Sequence, residues 1–209
     1  MKKNVMVQKI KYYISRFVTR KPVAIRNSEI DKRASIGNGA QIVDCVIGKY
    51  TYIFESKVIF ANIGCFCSIA ADCTIGGGSH PIQWVSTSPT FYAGKNSLHK
   101  NFSQNNYDEY QRTIIGNDVW IGSKCLIKGG VTIGDGAIVG MGSVVTHDIP
   151  AYEIWAGNPA HFIKKRFSEE TIEKLVRIQW WDYDDSTLEK LGNLFNDPKK
   201  LVAYMEEKK

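Results

Sequence analysis

The sequence predicts a mainly β fold: a parallel β-helix of six-residue repeats with a long protruding loop, an N-terminal helix and short C-terminal helices. Three observations predict it. An aliphatic residue returns at every sixth position through Ile115, Ile121, Ile127, Ile133, Val139 and Val145, and Gly116, Gly122, Gly134 and Gly140 follow four of them. The same spacing recurs more loosely upstream, and the tail switches to helix-capping signals. A period of six is neither the 3.6 of a helix nor the plain alternation of a hairpin strand; it is a solenoid signature.

Residues 1–33 form the first segment. They hold ten Lys/Arg against Glu29 and Asp31, which accounts for more than the whole net charge of +6 and leaves the rest of the chain slightly acidic. Val7, Ile10, Ile14, Phe17 and Val18 recur at helical spacing, with Lys9, Lys11, Arg16 and Arg20 mostly elsewhere, so an amphipathic helix is expected. It packs on its own domain or a neighbouring subunit; the alternative is a peripheral membrane contact through residues 1–21, lying on an anionic surface. No nucleic-acid motif accompanies the basic run, and a nucleic-acid partner is not expected.

The solenoid is expected over 34–166. Its upstream register reads Ile36, Ile42, Ile47, Ile53, Ile59, Ile63, Ile69 and Ile75, with two shortened steps. Each β-branched side chain should point into a narrow interior and stack on its equivalents above and below. The pattern vanishes over about residues 78–113, a polar, aromatic stretch with Trp84, Phe91, Tyr92, Phe102, Tyr107 and Tyr110. So long an insertion in a compact repeat is expected to be functional. In the tail, 167–209, Ser168 precedes Glu169 and Glu170 ahead of a helix over Thr171–Trp180. Ser186 to Glu189 has capping-box spacing, and Asp197-Pro198 reads as a cap with proline at the first helical position. Three short helices should close the C-terminal end of the solenoid.

Composition is that of a globular protein, with 44% hydrophobic and 23% charged residues. No run approaches the roughly 18 apolar residues of a membrane span. Lys9, Lys11 and Arg16 interrupt any signal-peptide stretch, so a cytoplasmic protein is expected, with the inner face of the membrane as the variant. The five cysteines (Cys45, Cys65, Cys67, Cys73, Cys125) sit mostly inside the repeat and read as reduced, buried small hydrophobes. No second Cys/His pair stands at ligand spacing to Cys65 and Cys67, so no metal is expected.

The segments IGKYTYI (47–53), IGCFCSIA (63–70), GGSHP (77–81), STSPTF (86–91), the run 115–150, WAGNPA (155–160) and IQWWDY (178–183) resemble the hexapeptide-repeat acyltransferases. Within them the likeness is to the branch of xenobiotic acetyltransferases and sugar O-acetyltransferases, and it covers most of residues 34–185. It implies a left-handed parallel β-helix, a homotrimer with active sites between subunits, and acetyl-CoA as co-substrate.

The resemblance puts the catalytic histidine at His80, one of four histidines with His99, His147 and His161. Imidazole suits a general base because its unperturbed pKa near ~6.5 leaves a proton-accepting fraction at neutral pH. A backbone carbonyl is the expected orienting group, since no acidic residue stands close in sequence. A backbone N–H at Ser123 or Gly122 is the expected oxyanion donor. Gly122 and Gly140 would let the pantetheine approach closely, with Trp120 packing on that arm or the acceptor. Met141, Thr146 and His161 join the cofactor-binding set, and Lys164 and Lys165, followed by Arg166, would pair with phosphates. Tyr50, Tyr52, Trp84 and Phe91 are candidate sugar-stacking faces, with core packing as the competing role. Antibiotic-modifying members typically insert residues after the segment matching YTY, whereas here Ile53 runs directly to Val58. That departure and the basic N-terminus favour a sugar hydroxyl as acceptor, of a capsule, O-antigen or precursor. A streptogramin- or chloramphenicol-type alcohol is the alternative. A third reading, a binding module or a zinc-holding relative with three histidines, is disfavoured because the histidines are not spaced along successive coils.

Overall fold

Short strands separated by tight corners give three flat faces, because each six-residue unit supplies one two- or three-residue strand and one turn. The computed structural model describes residues 22–207. The strands are β1 (Ala24–Arg26), β2 (Glu29–Ile30), β3 (Ser35–Ile36), β4 (Gln41–Val43), β5 (Val46–Ile47), β6 (Tyr52–Ile53), β7 (Lys57–Ile59), β8 (Ala61–Ile63) and β9 (Ser68–Ile69). They continue as β10 (Thr74–Gly76), β11 (Thr113–Ile115), β12 (Trp120–Ile121), β13 (Leu126–Ile127), β14 (Thr132–Ile133), β15 (Ile138–Val139) and β16 (Val144–Val145). A terminal pair follows, β17 (Glu153–Gly157) and β18 (Ala160–Lys165).

Every third strand pairs in parallel, so the prism has three sheets. Sheet 1 is β1-β4-β7-β10-β13-β16, sheet 2 is β2-β5-β8-β11-β14, and sheet 3 runs β3-β6-β9-β12-β15-β17, closed by antiparallel β18. The repeat aliphatics fill the interior: Ile115, Ile121, Ile127, Ile133, Val139 and Val145 are all buried, in one cluster with Ile42, Ile53 and Ile69. Burying such a side chain contributes roughly 1.5–3 kcal/mol. Four of the cysteines are buried as expected, and Cys45, Cys67, Cys73 and Cys125 donate their thiols to backbone carbonyls.

The structure departs from the sequence reading at several points. The solenoid begins at Ala24, not near residue 34, because β1 and β2 hydrogen-bond onto β4 and β5; the amphipathic helix expected over the preceding residues lies outside the described residues. The interior residue of β7 is Val58, in register with Ile42 and Ile75, while Ile59 is only half-buried. The five-residue steps therefore run Ile25 to Ile30, Ile42 to Ile47, and Ile53 to Val58 to Ile63.

The tail helices are α1 (Glu169–Ile178), α2 (Asp185–Leu191) and α3 (Pro198–Glu207). Ser168 caps α1 by accepting from the Thr171 N–H, and Asp197 accepts from Lys199 and Lys200 at the start of α3. Asp184, not Ser186, caps α2 by accepting from Thr187 at 2.8 Å, since its carboxylate stands three residues before that N–H. The tail does more than close the end. α1 and α3 pack around Tyr152 of the last coil, and the chain then climbs back along the edge between sheets 2 and 3. There Trp180 meets Phe66 at 4.9 Å, Lys49 donates to the Tyr183 carbonyl at 2.6 Å, and Asp185 reaches Tyr50 and Arg33 at 2.7 and 3.4 Å.

Candidate active site

The insertion leaves the prism at the edge between sheets 1 and 2, where Gly76 has φ +76° and a side chain would meet the Ile59 carbonyl at 2.0 Å. Only glycine fits there. The loop is folded on itself. Ser79 donates its N–H to the Glu109 carbonyl at 2.7 Å, and its hydroxyl lies 3.0 Å from that of Tyr107, so the outgoing and returning segments are clipped together beside His80. Beneath them Tyr92, Trp84 and Tyr107 form an aromatic cluster with centroids 5.4–6.2 Å apart. Tyr92 is buried and His80 exposed, and the Tyr92 hydroxyl lies 3.4 Å from His80 Nδ1. Among the described residues the hydrogen-bond partner that Nδ1 faces is thus a phenol, where a backbone carbonyl was expected from the sequence. Burial first, and the charge of Glu109 next, push that phenol above its ordinary range.

Trp84 and Phe91 line a common open hollow of about 720 Å³ with Gln83, Ser86, Ser103, Asn105 and Asn106. Two of the candidate stacking residues are thus brought together next to the His80 cluster. The other two are not. Tyr50 lies on the opposite edge, its hydroxyl donated to Asp185 and its ring under Arg33, so it fastens the tail to the solenoid. Tyr52 is on sheet 3, edge-on to Phe54 at 5.3 Å. A second groove, of about 760 Å³, lies above the insertion between Ile25, Val43, Phe60 and Tyr110. His99 is an exposed loop residue.

The residues expected on the cofactor side divide between edges. Trp120 (54% exposed) stands on sheet 3, with Gly122, Ser123, Gly140 and Met141 at the corner between sheets 3 and 1. Across sheet 3 Trp120 is in register with Ile138, Ile138 with Ile154, and Ile154 with Lys164. At ~4.8 Å per strand, this row runs ~14 Å from an exposed aromatic over two half-buried aliphatics to an exposed ammonium. Thr146 sits apart, at the sheet 1–2 edge below the insertion, 2.9 Å from His147. His161 lies on β18, its Nδ1 3.4 Å from the Pro159 carbonyl.

Three expectations are corrected here. The Gly122 N–H is donated to the Val139 carbonyl at 2.8 Å, which removes it as an oxyanion donor; Ser123 is the survivor of that pair. The space beside Gly122 and Gly140 is filled by the next coil, at Met141 N and Ala156 Cβ, so these glycines serve coil stacking and give no added room for a ligand. Lys165 is paired with Glu169, and Arg166 with Asp118 at 3.0 Å and the Gly136 carbonyl, leaving Lys164 as the unpaired cation of the run among the described residues.

Within one chain, His80 and Trp120 are separated by the whole of sheet 1. Among the described residues, no cluster of three or more His, Cys, Asp or Glu could hold a metal ion, and no helix is long and apolar enough to cross a membrane.

The solenoid is built of six-residue units, with a histidine on its looped-out insertion and an apolar-to-cationic row along sheet 3. The family described as "Bacterial transferase hexapeptide (six repeats)" matches residues 112–147. A chloramphenicol acetyltransferase of Agrobacterium fabrum is 42% identical over 68% of this chain and 69% of its own length. A galactoside O-acetyltransferase of Escherichia coli K12 is 31% identical over 66% and 70%. A solved galactoside acetyltransferase in complex with coenzyme A is 25% identical over 70% of both chains, with a TM-score of 0.44. The chain belongs to the hexapeptide-repeat acetyltransferases.

Proposed function

We propose that this chain is an acetyl-CoA-dependent O-acetyltransferase whose acceptor is a hydroxyl of a sugar or surface polysaccharide, with His80 as general base. The observation that carries the reading is the exposed imidazole joined, through Tyr92 and the Trp84 ring it packs on, to a hollow that combines two aromatic faces with amides and hydroxyls. Ring faces stack on the C–H face of a pyranose while Gln83, Asn105 and Asn106 exchange hydrogen bonds with its hydroxyls. The three-residue corner between β6 and β7 agrees, since the chain makes no excursion where antibiotic-modifying members carry extra residues.

His80 accepts the acceptor hydroxyl's proton as that oxygen bonds to the thioester carbonyl carbon, and returns it to the sulfur as the C–S bond breaks. The Ser123 N–H is the candidate donor to the carbonyl oxygen. The row from Trp120 to Lys164 suits a long ligand with an apolar arm and an anionic end. Because His80 and that row occupy different edges, the complete site is formed between subunits, in the homotrimer that the resemblance implies. The loop's outer residues support it: Ile82, Val85, Leu98 and Phe102 are each more than 60% exposed, apolar surface that a neighbouring subunit would cover. A second reading, transfer to a chloramphenicol-type alcohol, is favoured by the similarity to chloramphenicol acetyltransferases.

Mass spectrometry after incubation with acetyl-CoA and simple hexoses, sialic acids or chloramphenicol decides between acceptors: an O-acetylated sugar is expected, and acetylated chloramphenicol alone would select the second reading. His80→Ala should lower turnover ~100- to 10,000-fold, the contribution of a general base, with acetyl-CoA affinity unchanged. Retained turnover would remove His80 from the mechanism.

A further inference from the structure

We propose that residues 1–21 cap the open end of the solenoid, with the stripe Val7, Ile10, Ile14, Phe17 and Val18 laid over Ile25, Ile30 and Ile36 of the first coil.

The two ends of the prism are unlike. At the C-terminal end antiparallel β18 closes sheet 3, and α1 and α3 pack around Tyr152. At the other end β1, β2 and β3 are the terminal strands of the three sheets, and no described strand pairs with their outer edges. The inward-facing residues register this. Ile25 heads the stack that continues through Ile42, Val58 and Ile75; it is 52% exposed, whereas those three are fully buried. Ile30 and Ile36 are half-buried, while Ile47 and Ile53 beneath them are buried. Three isoleucines that would be core in any later coil are therefore covered from one side only. A solenoid end in this state offers apolar surface and unpaired strand edges to other chains, and repeat proteins cover such ends with a segment whose outer face is polar.

Residues 1–21 match that task in position, length and charge. Lys21 is followed by Pro22 and Val23 and then directly by β1, so the segment joins the solenoid at the end to be covered. The proline stops a helix there, and the chain can turn back over the coil. From Val7 to Val18 the apolar residues recur at helical spacing over a rise of ~17 Å at 1.5 Å per residue. A coil face of about six residues is at most ~20 Å long. Lys9, Lys11, Arg16 and Arg20 fall mostly off the stripe and give the cap a charged outer face. An anionic membrane or a second copy would satisfy only one of the two apolar surfaces, the stripe or the first coil. The end-cap buries each against the other.

The test uses the full chain with the photocrosslinking residue benzoylphenylalanine in place of Ile25. Irradiation and digestion should yield, by mass spectrometry, a cross-link from position 25 to a peptide within residues 7–18. Cross-links to residues 22–36 of a second copy in place of that peptide, or none to residues 7–18, overturn the proposal. In parallel, deleting residues 1–21 should lower the thermal midpoint by at least ~3 °C, the scale of one aliphatic burial lost in a chain of this size, and raise the binding of an apolar dye. Should the deletion fail to fold, the combined Ile10→Ser, Ile14→Ser and Phe17→Ser variant should do the same, while combined Lys9→Gln, Lys11→Gln and Arg16→Gln leaves the midpoint in place. A midpoint unmoved by loss of the stripe overturns the proposal. If wild type, but not the deletion, also sediments with phosphatidylserine vesicles, that unmoved midpoint assigns the stripe to a membrane surface.

Discussion

Replacing Gly76 by alanine tests how the insertion is hinged to the solenoid, and Gly142 supplies its control. The two glycines have nearly the same backbone, φ +76° and +72°, but a Cβ at Gly76 would lie 2.0 Å from the Ile59 carbonyl oxygen, whereas nothing stands within 4 Å at Gly142. Placing an L-residue in the left-handed region costs roughly 1–2 kcal/mol, which is the whole expected effect at Gly142. At Gly76 the clash adds to it. Gly76 is paired with Ile59 in sheet 1, so the carbonyl can retreat only by opening the ladder, and overpacking of this kind costs roughly 1–3 kcal/mol. Gly76→Ala should therefore lose about 2–5 kcal/mol. For chains of this size ~1 kcal/mol moves the thermal midpoint by ~2–4 °C. At equal protein concentration, unfolding followed by circular dichroism should show Gly142→Ala about 2–8 °C below wild type and Gly76→Ala about 4–20 °C below. Turnover of Gly76→Ala should also fall, because His80 is four residues beyond the displaced exit. Equal midpoints for the two variants would refute the argument, since they would show that the space beside Gly76 does not matter.

Two other perturbations probe separate parts of the molecule. Lys164→Glu removes the exposed ammonium at the end of the sheet 3 row and should raise the KM for acetyl-CoA about three- to tenfold with kcat unchanged, the scale of an exposed ion pair lost and a repulsion gained; an unchanged KM would discard Lys164 as a phosphate partner. The Arg33 guanidinium beside Asp31 holds that carboxyl at about 2, down from 3.8. A depressed carboxylate stabilises the fold above its unfolded value and loses that contribution as pH falls from near 4 towards 2. Thermal midpoints measured across this window should show Asp31→Asn less stable at pH 6, the gap closing as pH approaches 2, and a constant gap would contradict it.

The regular half of the solenoid was legible from the sequence because period and burial are the same fact there: an aliphatic that returns every six residues must return to the same face of the coil. Ile115 to Val145 are all interior for this reason. Where Val58 and Ile59 are both β-branched, the pattern alone chose the wrong one, and pairing with Ile42 and Ile75 decided. The first coil was missed because Ile25 and Ile30 sit in a basic stretch whose charge drew the reading towards a helix. Ser168 and Asp197 were readable as caps, being local hydrogen bonds between near neighbours; Asp184 lost to Ser186 because two plausible caps stood two residues apart.

By itself, the sequence determined the β-helix, the place where its repeat is interrupted, the helical tail and His80 as the residue to examine, since each is written in short-range spacing or a local motif. Only the tertiary structure decided the rest. It set Tyr50 against Asp185, 135 residues away, and so turned a candidate sugar platform into a fastening for the tail. It spent the Gly122 N–H and the Arg166 guanidinium inside the chain. It also put Tyr92 beside His80, and placed His80 and Trp120 on opposite sides of sheet 1. The physical reason is common to all of these: what a polar group does depends on which partner takes its hydrogen bond or charge, and a solenoid brings partners together one coil at a time, across distances that no local pattern records.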